Sequence, residues 1–156
     1  MSQASWKKTA NPLTPRLLRL LREAALYVLG AIALYLLITL WTYQPADPAW
    51  SHRGTSQAVT NLGGRVGAYL SDALYALFGY VAYLFPIMIG LLGWRIYLDR
   101  ANPEPSSRKQ RAITATGFVL AMLGACGLAG LHYAQTKTGM PFASGGWLGN
   151  AVGSGL

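Results

Sequence analysis

Charged residues are scarce in this 156-residue sequence and make up 12% of it. A typical soluble domain has about 25% charged residues. The scarcity, together with a hydrophobic content of 53%, therefore excludes an ordinary soluble domain and indicates a membrane protein. Cysteine is nearly absent, because Cys126 is the single one, so no internal disulfide can form. We expect Cys126 to be a small packing residue.

Motifs for catalysis and for ligand binding are missing as well. No glycine is followed by Lys and then Ser or Thr, so the chain has no Walker-type phosphate loop. The two histidines, His52 and His132, lie far apart and have no carboxylate or cysteine at metal-ligand spacing. The sequence therefore predicts no catalytic residue, no metal site and no cofactor site in this chain.

Three uncharged stretches are long enough to cross a membrane. They run over residues 24–43, 73–94 and 112–133, and a membrane-spanning helix needs about 20 apolar residues. A fourth apolar segment begins at about residue 147 and is incomplete at residue 156. We predict an all-α, polytopic membrane protein with three complete transmembrane helices and the start of a fourth, and we interpret the chain as truncated there.

The positive charges indicate how the chain is oriented. Ten of the thirteen Lys and Arg residues fall within residues 7–22 and 95–111, and such clusters stay on the cytoplasmic side. Residues 1–23 are therefore predicted to form a cytoplasmic basic tail and the start of an interfacial helix, with Thr14 as its cap. Residues 24–156 form the predicted membrane domain. Topology and attraction to anionic lipid explain the net charge of +8.

Several residues in or beside the spans have predicted structural roles. Asp72 directly precedes the second span, where its carboxylate would interact with the positive end of the helix, and Pro86 should kink that helix. A stripe of small residues at a spacing of four lies in the third span and predicts a packing face for another helix, of this chain or of a second subunit. The stripe consists of Gly117, Ala121, Ala125 and Ala129.

The loop between the first two spans carries the most specific pattern. It and the second span read TYQPADPAWSHRGTSQAVTNLGGRVGAYLSDALYALFGYVAYLFP, and later segments read CGLAGLH and FASGGWLG. In these motifs the chain, from about Glu23 onward, resembles the amino-terminal membrane domain of the FtsK/SpoIIIE DNA translocases. The loop residues that we select as candidates are turn formers and an interfacial tryptophan, namely Asp47, Pro48, Trp50, Asn61, Gly63 and Gly64.

The resemblance implies a fold and a function for the whole protein. It implies four transmembrane helices, a flexible linker and a hexameric motor that uses ATP and Mg to move double-stranded DNA. The membrane domain would be an anchor and scaffold at the division septum of the bacterial inner membrane, in contact with lipids and division proteins, where it couples chromosome segregation to division. The motor is absent from these residues, so we expect this chain itself to be no enzyme.

Two other functions are open on the residues alone. The first is a small stand-alone multi-span membrane scaffold without a motor. The second is a transporter or channel subunit, which would need a polar path through the spans. Thr39, Thr114, Thr116 and a few tyrosines are the polar residues that we consider for such a path, and they provide little of it.

Overall fold

Helices make up all the regular structure in the described part of this chain. The computed structural model describes residues 13–51, 54, 58–98, 107–132 and 145–153, with the backbone alone for 13–15, 132 and 153. The elements are α1 (Leu13–Trp41), α2 (Gly64–Phe78), a 3₁₀ segment (Gly79–Tyr83), α3 (Leu84–Leu98), α4 (Arg108–His132) and α5 (Gly146–Gly153). The predicted all-α class is confirmed.

Three helical stretches are long and apolar enough to cross a membrane, as predicted. They are Arg16–Trp41, Gly64–Leu98 and Arg108–Leu131. In their most apolar windows only 17–22% of residues are buried inside the protein, so most of their apolar side chains face outward and can contact lipid. The eight-residue helix α5 begins at Gly146, where the start of a fourth span was expected.

Helices α1 and α3 pack side by side in opposite directions. Gly90 lies beside Ala33, and Gly93 lies beside Leu29 and Leu26, so contacts move backward along α1 as α3 advances. A Cβ atom on Gly93 would lie 3.1 Å from the Cβ of Leu29. Small residues at such a crossing allow two membrane helices to approach closely.

The second span is not one continuous α-helix. Gly79 ends α2 with φ 59° and ψ −139°, a conformation that glycine adopts far more readily than other residues. The 3₁₀ segment follows, and Pro86 is the third residue of α3, where a missing backbone donor breaks no intrahelical bond. The predicted kink at Pro86 is therefore wrong in its cause and position, because the span is interrupted from Gly79 to Tyr83, before Pro86.

Helix α2 lies across the end of α1 at Trp41, which we call the Trp41 end. A Cβ on Gly67 would lie 2.7 Å from Cγ2 of Thr39, and the Tyr75 hydroxyl donates to the Leu40 carbonyl over 3.0 Å. Gly67 and Tyr75, which lie eight positions apart on α2, thus meet two adjacent residues of α1. An antiparallel neighbour would move about 12 Å along α1 over the same eight residues, so α2 crosses α1 instead of running beside it.

Close backbone contacts join α4 to α5. A Cβ on Gly149 would lie 2.6 Å from the Cys126 carbonyl oxygen, and one on Gly130 would lie 2.9 Å from the Gly149 carbonyl oxygen. Cys126 is fully buried, as its predicted packing role requires, and its sulfur lies 3.8 Å from the Phe78 carbonyl. Glycine is needed on both helices here because any side chain would push the two backbones apart.

Candidate functional site in the loop between the first two helices

Asp47 joins the two ends of the loop that connects α1 to α2. One oxygen of its carboxylate accepts hydrogen bonds from the backbone N–H and the hydroxyl of Thr60, each at 2.9 Å. The other oxygen accepts from the backbone N–H of Asn61 at 2.9 Å. The side chain is 1% exposed, so these contacts are shielded from water and tie together residues thirteen and fourteen positions apart.

The same contacts set the ionisation of Asp47. Burial acts to raise the pKa of its carboxyl, but the hydrogen bonds from the Thr60 and Asn61 backbone and from the Thr60 hydroxyl favour the ionised form more strongly. The pKa of Asp47 is therefore lower than its ordinary value. The carboxylate is charged at neutral pH and acts as an acceptor for the loop.

Asn61 connects the end of α1 to the start of α2. Its side-chain amide donates to the Thr39 carbonyl over 2.9 Å and to the Thr42 carbonyl over 3.3 Å. Its side-chain oxygen accepts from the Gly63 N–H at 2.8 Å. The last carbonyls of a helix have no partner within the helix, so one asparagine provides a donor for α1 and an acceptor for the turn that begins α2.

The glycines after Asn61 are required for two different reasons. Gly64, the first residue of α2, has a φ of 66° with open space around it, so its backbone conformation favours glycine. Gly63 and Gly67 lie directly against the Thr39 side chain, where a Cβ on either residue would overlap it. The glycine-rich motif therefore combines one turn conformation with a close approach of α2 to α1.

Asp72 is a fully buried acceptor in the middle of α2, so its predicted capping role is wrong. The helix begins at Gly64, more than two turns before Asp72, because the Asn61 turn starts it earlier than the apolar pattern indicates. The Asp72 carboxylate accepts from the Ser51 N–H at 2.8 Å, the Ser51 hydroxyl at 3.0 Å and the Tyr43 hydroxyl at 3.1 Å. Asp72 therefore attaches the loop to α2.

Aromatic side chains surround the contact between Asp72 and Tyr43. The rings of Tyr43 and Tyr75 are 4.8 Å apart between centroids, and the Tyr75 hydroxyl lies 3.0 Å from that of Tyr83. Burial raises the pKa of Tyr43, and the neighbouring Asp72 carboxylate raises it further. Tyr43 thus remains a neutral donor to Asp72.

We call Asp47, Asn61 and Asp72, with the groups that bind them, the loop cluster. Every buried side-chain nitrogen or oxygen among the described residues has a hydrogen-bond partner. A general acid or base must reach a substrate, whereas both carboxylates here are buried and bound to the protein's own donors. The arrangement is suited to holding the loop in one conformation.

The predicted loop residues do not all belong to the loop cluster. Asp47, Asn61, Gly63 and Gly64 take part in it, and Pro48 lies against Gly54. Trp50 points outward and is 66% exposed, so its predicted interfacial role stays a prediction. His52 lies outside the described residues, as do residues 1–12 of the basic tail and the side chains of Thr14 and His132.

Sequence reasoning missed the partners of these side chains. Tyr43 and Ser51 bind Asp72, and Thr39 lies under Gly63 and Gly67. The available signal was the position of these polar residues just before and after the end of an apolar span. The sequence offers Thr39 as part of a polar path, but Thr39 is fully buried, and its hydroxyl donates to the Leu36 carbonyl at 3.0 Å.

Within the chain, α4 packs through residues next to the predicted stripe. Met122, Cys126 and Gly130 face the protein, and each follows a stripe member by one position. Gly117 has open space where its side chain would be, and Ala121 is exposed. Packing of the Gly117, Ala121, Ala125 and Ala129 stripe on a second subunit stays a prediction.

We expect Ala125→Leu to disturb packing more than Leu128→Ile. Extra methylenes at a packed face cost about 1–3 kcal/mol, whereas Leu128 is 70% exposed and its replacement keeps the same volume. The measurement is the thermal stability of each variant in detergent, read by size-exclusion chromatography after heating. Equal stabilities would count against the stripe as a packing face.

We expect Asp47→Asn to weaken the fold and to change its response to acid. Because the folded pKa is depressed, the carboxylate stabilises the fold fully above its unfolded pKa of about 3.9, and this contribution disappears as pH falls through the folded pKa. At neutral pH the substitution should cost about 2 kcal/mol, since an amide cannot accept all three hydrogen bonds. Below about pH 3.9 the difference in unfolding free energy between Asp47→Asn and the unchanged chain should become smaller.

Thermal unfolding in detergent between about pH 2 and 7 measures both effects. Glu23→Gln, in the amino-terminal half of α1, is the control for removing one carboxylate elsewhere. If the difference in thermal stability between Asp47→Asn and the unchanged chain stayed constant over this pH range, Asp47 would not be the ionised acceptor that we describe.

Comparison with known proteins agrees with this architecture. A family model described as the 4TM region of DNA translocase FtsK/SpoIIIE matches residues 18–156. A DNA translocase FtsK of Pseudomonas putida is 37% identical over 133 residues, which cover 85% of this chain and 16% of the relative. DNA translocase FtsK 2 of Ralstonia nicotianae is 34% identical over 165 residues, which cover 100% of this chain and 21% of the relative.

A more distant relative shows the same coverage. A DNA translocase FtsK of Vibrio vulnificus is 33% identical over 135 residues, which cover 86% of this chain and 13% of the relative. The chain thus spans about a fifth or less of the length of these relatives. No solved structure matches it.

Proposed function

We propose, from the premise that this chain belongs to the 4TM region family of the FtsK/SpoIIIE DNA translocases, that it anchors such a translocase and acts as its scaffold at the division septum. The observation that carries the proposal is the family match over residues 18–156. The three candidate spans support the anchoring role, because a chain with several apolar helices is held firmly in a bilayer.

The loop cluster supports the scaffold role. It closes the loop through two buried carboxylates and one buried amide, so that the loop has a fixed shape at the Trp41 end. A surface that is ordered before binding loses less conformational entropy when a partner binds. Division proteins at the septum are the partners that we propose for this region.

The activity of the whole protein is a separate part of the proposal. The relatives are named as DNA translocases, and we assign hydrolysis of ATP with Mg, binding of double-stranded DNA and hexamer formation to segments outside these residues. This chain itself is proposed to hold no cofactor and to catalyse no reaction. Its buried carboxylates are bound by the protein's own donors, which supports that assignment.

We propose that the amino terminus is cytoplasmic, with residues 1–23 as a basic segment and residues 24–156 as the membrane domain. The clustering of Lys and Arg within residues 7–22 and 95–111 supports this orientation. Reporter fusions after Trp50 and after Lys137 are therefore expected outside the cytoplasm, and a fusion after Lys109 inside it. Alkaline phosphatase and green fluorescent protein activities measure the two sides. A Lys109 fusion that is active outside would overturn the topology.

A localisation experiment tests the septal role. We expect this chain, fused to a fluorescent protein at its amino terminus and produced in Pseudomonas putida, to form a band at mid-cell in dividing cells. A control fusion to an unrelated three-span membrane segment should label the whole membrane evenly. An even distribution of the test fusion would overturn septal targeting and leave the anchoring role intact.

The stand-alone scaffold is the second candidate. Sequencing the gene past the codon for Leu156 separates the two. An open frame that reaches the motif G-x-x-x-x-G-K-[ST] would support an anchor of a motor, and a stop codon would support a scaffold without one.

A further inference from the structure

Helix α2 buries two polar residues and exposes apolar ones on its opposite side. Its buried face includes Ser71 and Asp72, both fully buried. At 3.6 residues per turn, Val66, Leu70 and Ala73 lie on the opposite side. Val66 is 70% exposed and Leu70 36%. A helix at the surface of a water-soluble protein has the reverse pattern, so this face is suited to an apolar environment.

The loop extends this face into an open groove of about 600 Å³. Trp50 lies along one side of the groove, Arg65 and Tyr69 lie along α2, and Leu77 is the last lining residue in sequence. The remaining lining residues are Val66, Leu70 and Ala73. The groove therefore combines an almost wholly apolar surface with one cation and two aromatic residues that have polar tips.

The position of α2 places this groove at the boundary of the membrane. The first candidate span ends at Trp41, and α2 crosses the chain at that end. The five residues of the 3₁₀ segment and the fifteen of α3 supply the about 20 residues that one crossing requires. Crossing the bilayer therefore does not require α2.

We propose that α2 is an interfacial helix that lies along the bilayer surface with its groove against phospholipid. Three observations favour lipid as the occupant. The groove lies at the level where α1 ends, Arg65 can pair with a lipid phosphate, and Trp50 and Tyr69 are residues typical of the headgroup level. The loop cluster then holds the opposite face of α2, which carries Ser71 and Asp72, away from the lipid. This assignment is independent of the septal function.

Spin labels measure the depth of α2 directly. Single cysteines replace Val66, Leu70, Ala73 or Leu77 in a Cys126→Ala chain, which is reconstituted in vesicles of phosphatidylcholine and phosphatidylglycerol. Accessibility to oxygen and to a water-soluble nickel complex gives the depth of each label. We expect all four to be more accessible to oxygen and to lie within about 5 Å of one depth, roughly one helical turn.

A helix that crosses the bilayer gives the contrasting profile. Labels at Ile113, Leu120 and Leu128 of α4 are the control and should differ progressively in depth. If the α2 labels differed by about 16 Å from Val66 to Leu77, α2 would be part of the crossing and the proposal would fail. Greater accessibility to nickel would mean that the groove faces water, and loss of both accessibilities with spin–spin broadening would mean that a second copy covers it. Either result would also overturn the proposal.

Label sites were chosen so that the fold survives. Val66 and Leu70 are exposed. Ala73 is included as an alternative to Leu77, because Leu77 is half-buried and a label there can alter packing. A monodisperse size-exclusion profile of each labelled chain is the condition for using it. The depths of Val66, Leu70 and Ala73 suffice to separate a flat helix from a crossing one.

Discussion

Replacing Asp72 by alanine is expected to lower the free energy of unfolding by about 3 kcal/mol. The carboxylate is fully buried and accepts two hydrogen bonds from Ser51 and one from Tyr43. Its removal would leave these donors without their acceptor in a site that is shielded from water. Thermal unfolding of the purified chain in a mild detergent measures the change, and proteolysis of the loop should become faster at the same time.

Two further variants show whether the acceptor or the volume matters. Asp72→Asn keeps the shape and one acceptor oxygen, so it should cost less than Asp72→Ala. Ser51→Ala removes only the hydroxyl and should cost about 1 kcal/mol. The double variant Asp72→Ala with Ser51→Ala should lose less unfolding free energy than the sum of the losses in the two single variants. The reason is that both single variants remove the same hydrogen bond. Strict additivity would contradict the contact.

Replacing Gly146 by alanine is expected to detach α5 from α2, with a loss of about 2–5 kcal/mol. Two causes act together at this residue. Its φ is 64°, where a side chain is strained, and a Cβ would lie 2.5 Å from the carbonyl carbon and oxygen of Leu77. Because those atoms belong to the backbone, they cannot rotate away. Thermal unfolding in detergent measures the loss.

The chain offers matched controls for each cause. Gly64 has nearly the same φ, 66°, with nothing within 4 Å, so Gly64→Ala isolates the conformational cost of about 1–2 kcal/mol. Gly124 in α4 also has open space, and Gly124→Ala should be neutral or slightly stabilising in a helix interior. If Gly146→Ala were no worse than Gly64→Ala, close packing of α5 on α2 would be refuted.

The helices were largely predictable because apolar runs report directly on membrane spans. Residues 24–43 and 112–133 fall almost wholly within α1 and α4. The course of residues 64–83 was not predictable in the same way. The break at Gly79 depends on a backbone conformation, and the crossing of α2 over α1 depends on glycines that contact Thr39. Hydropathy contains neither kind of information.

In the loop, the kinds of residue predicted an ordered structure, but they did not predict which residues contact each other. The turn-forming character of Asp47, Asn61 and the two glycines indicated a structured loop, and the structure places them together. The contact of Asp72 with Ser51 spans twenty-one residues, and no local pattern indicates such a distance. An aspartate before an apolar run is more often a helix cap, which is why Asp72 was assigned to the wrong partner.

The bonding of the last α1 carbonyls has a consequence for bilayer thickness. The Thr39 and Leu40 carbonyls accept from the Asn61 amide and the Tyr75 hydroxyl, so these two carbonyls do not depend on water. A transmembrane segment that ends in bare carbonyls resists being drawn below the headgroups, because those groups would lose hydration. Here the chain itself provides donors, so this end of α1 can lie deeper in a thicker bilayer at a smaller cost in hydrophobic mismatch.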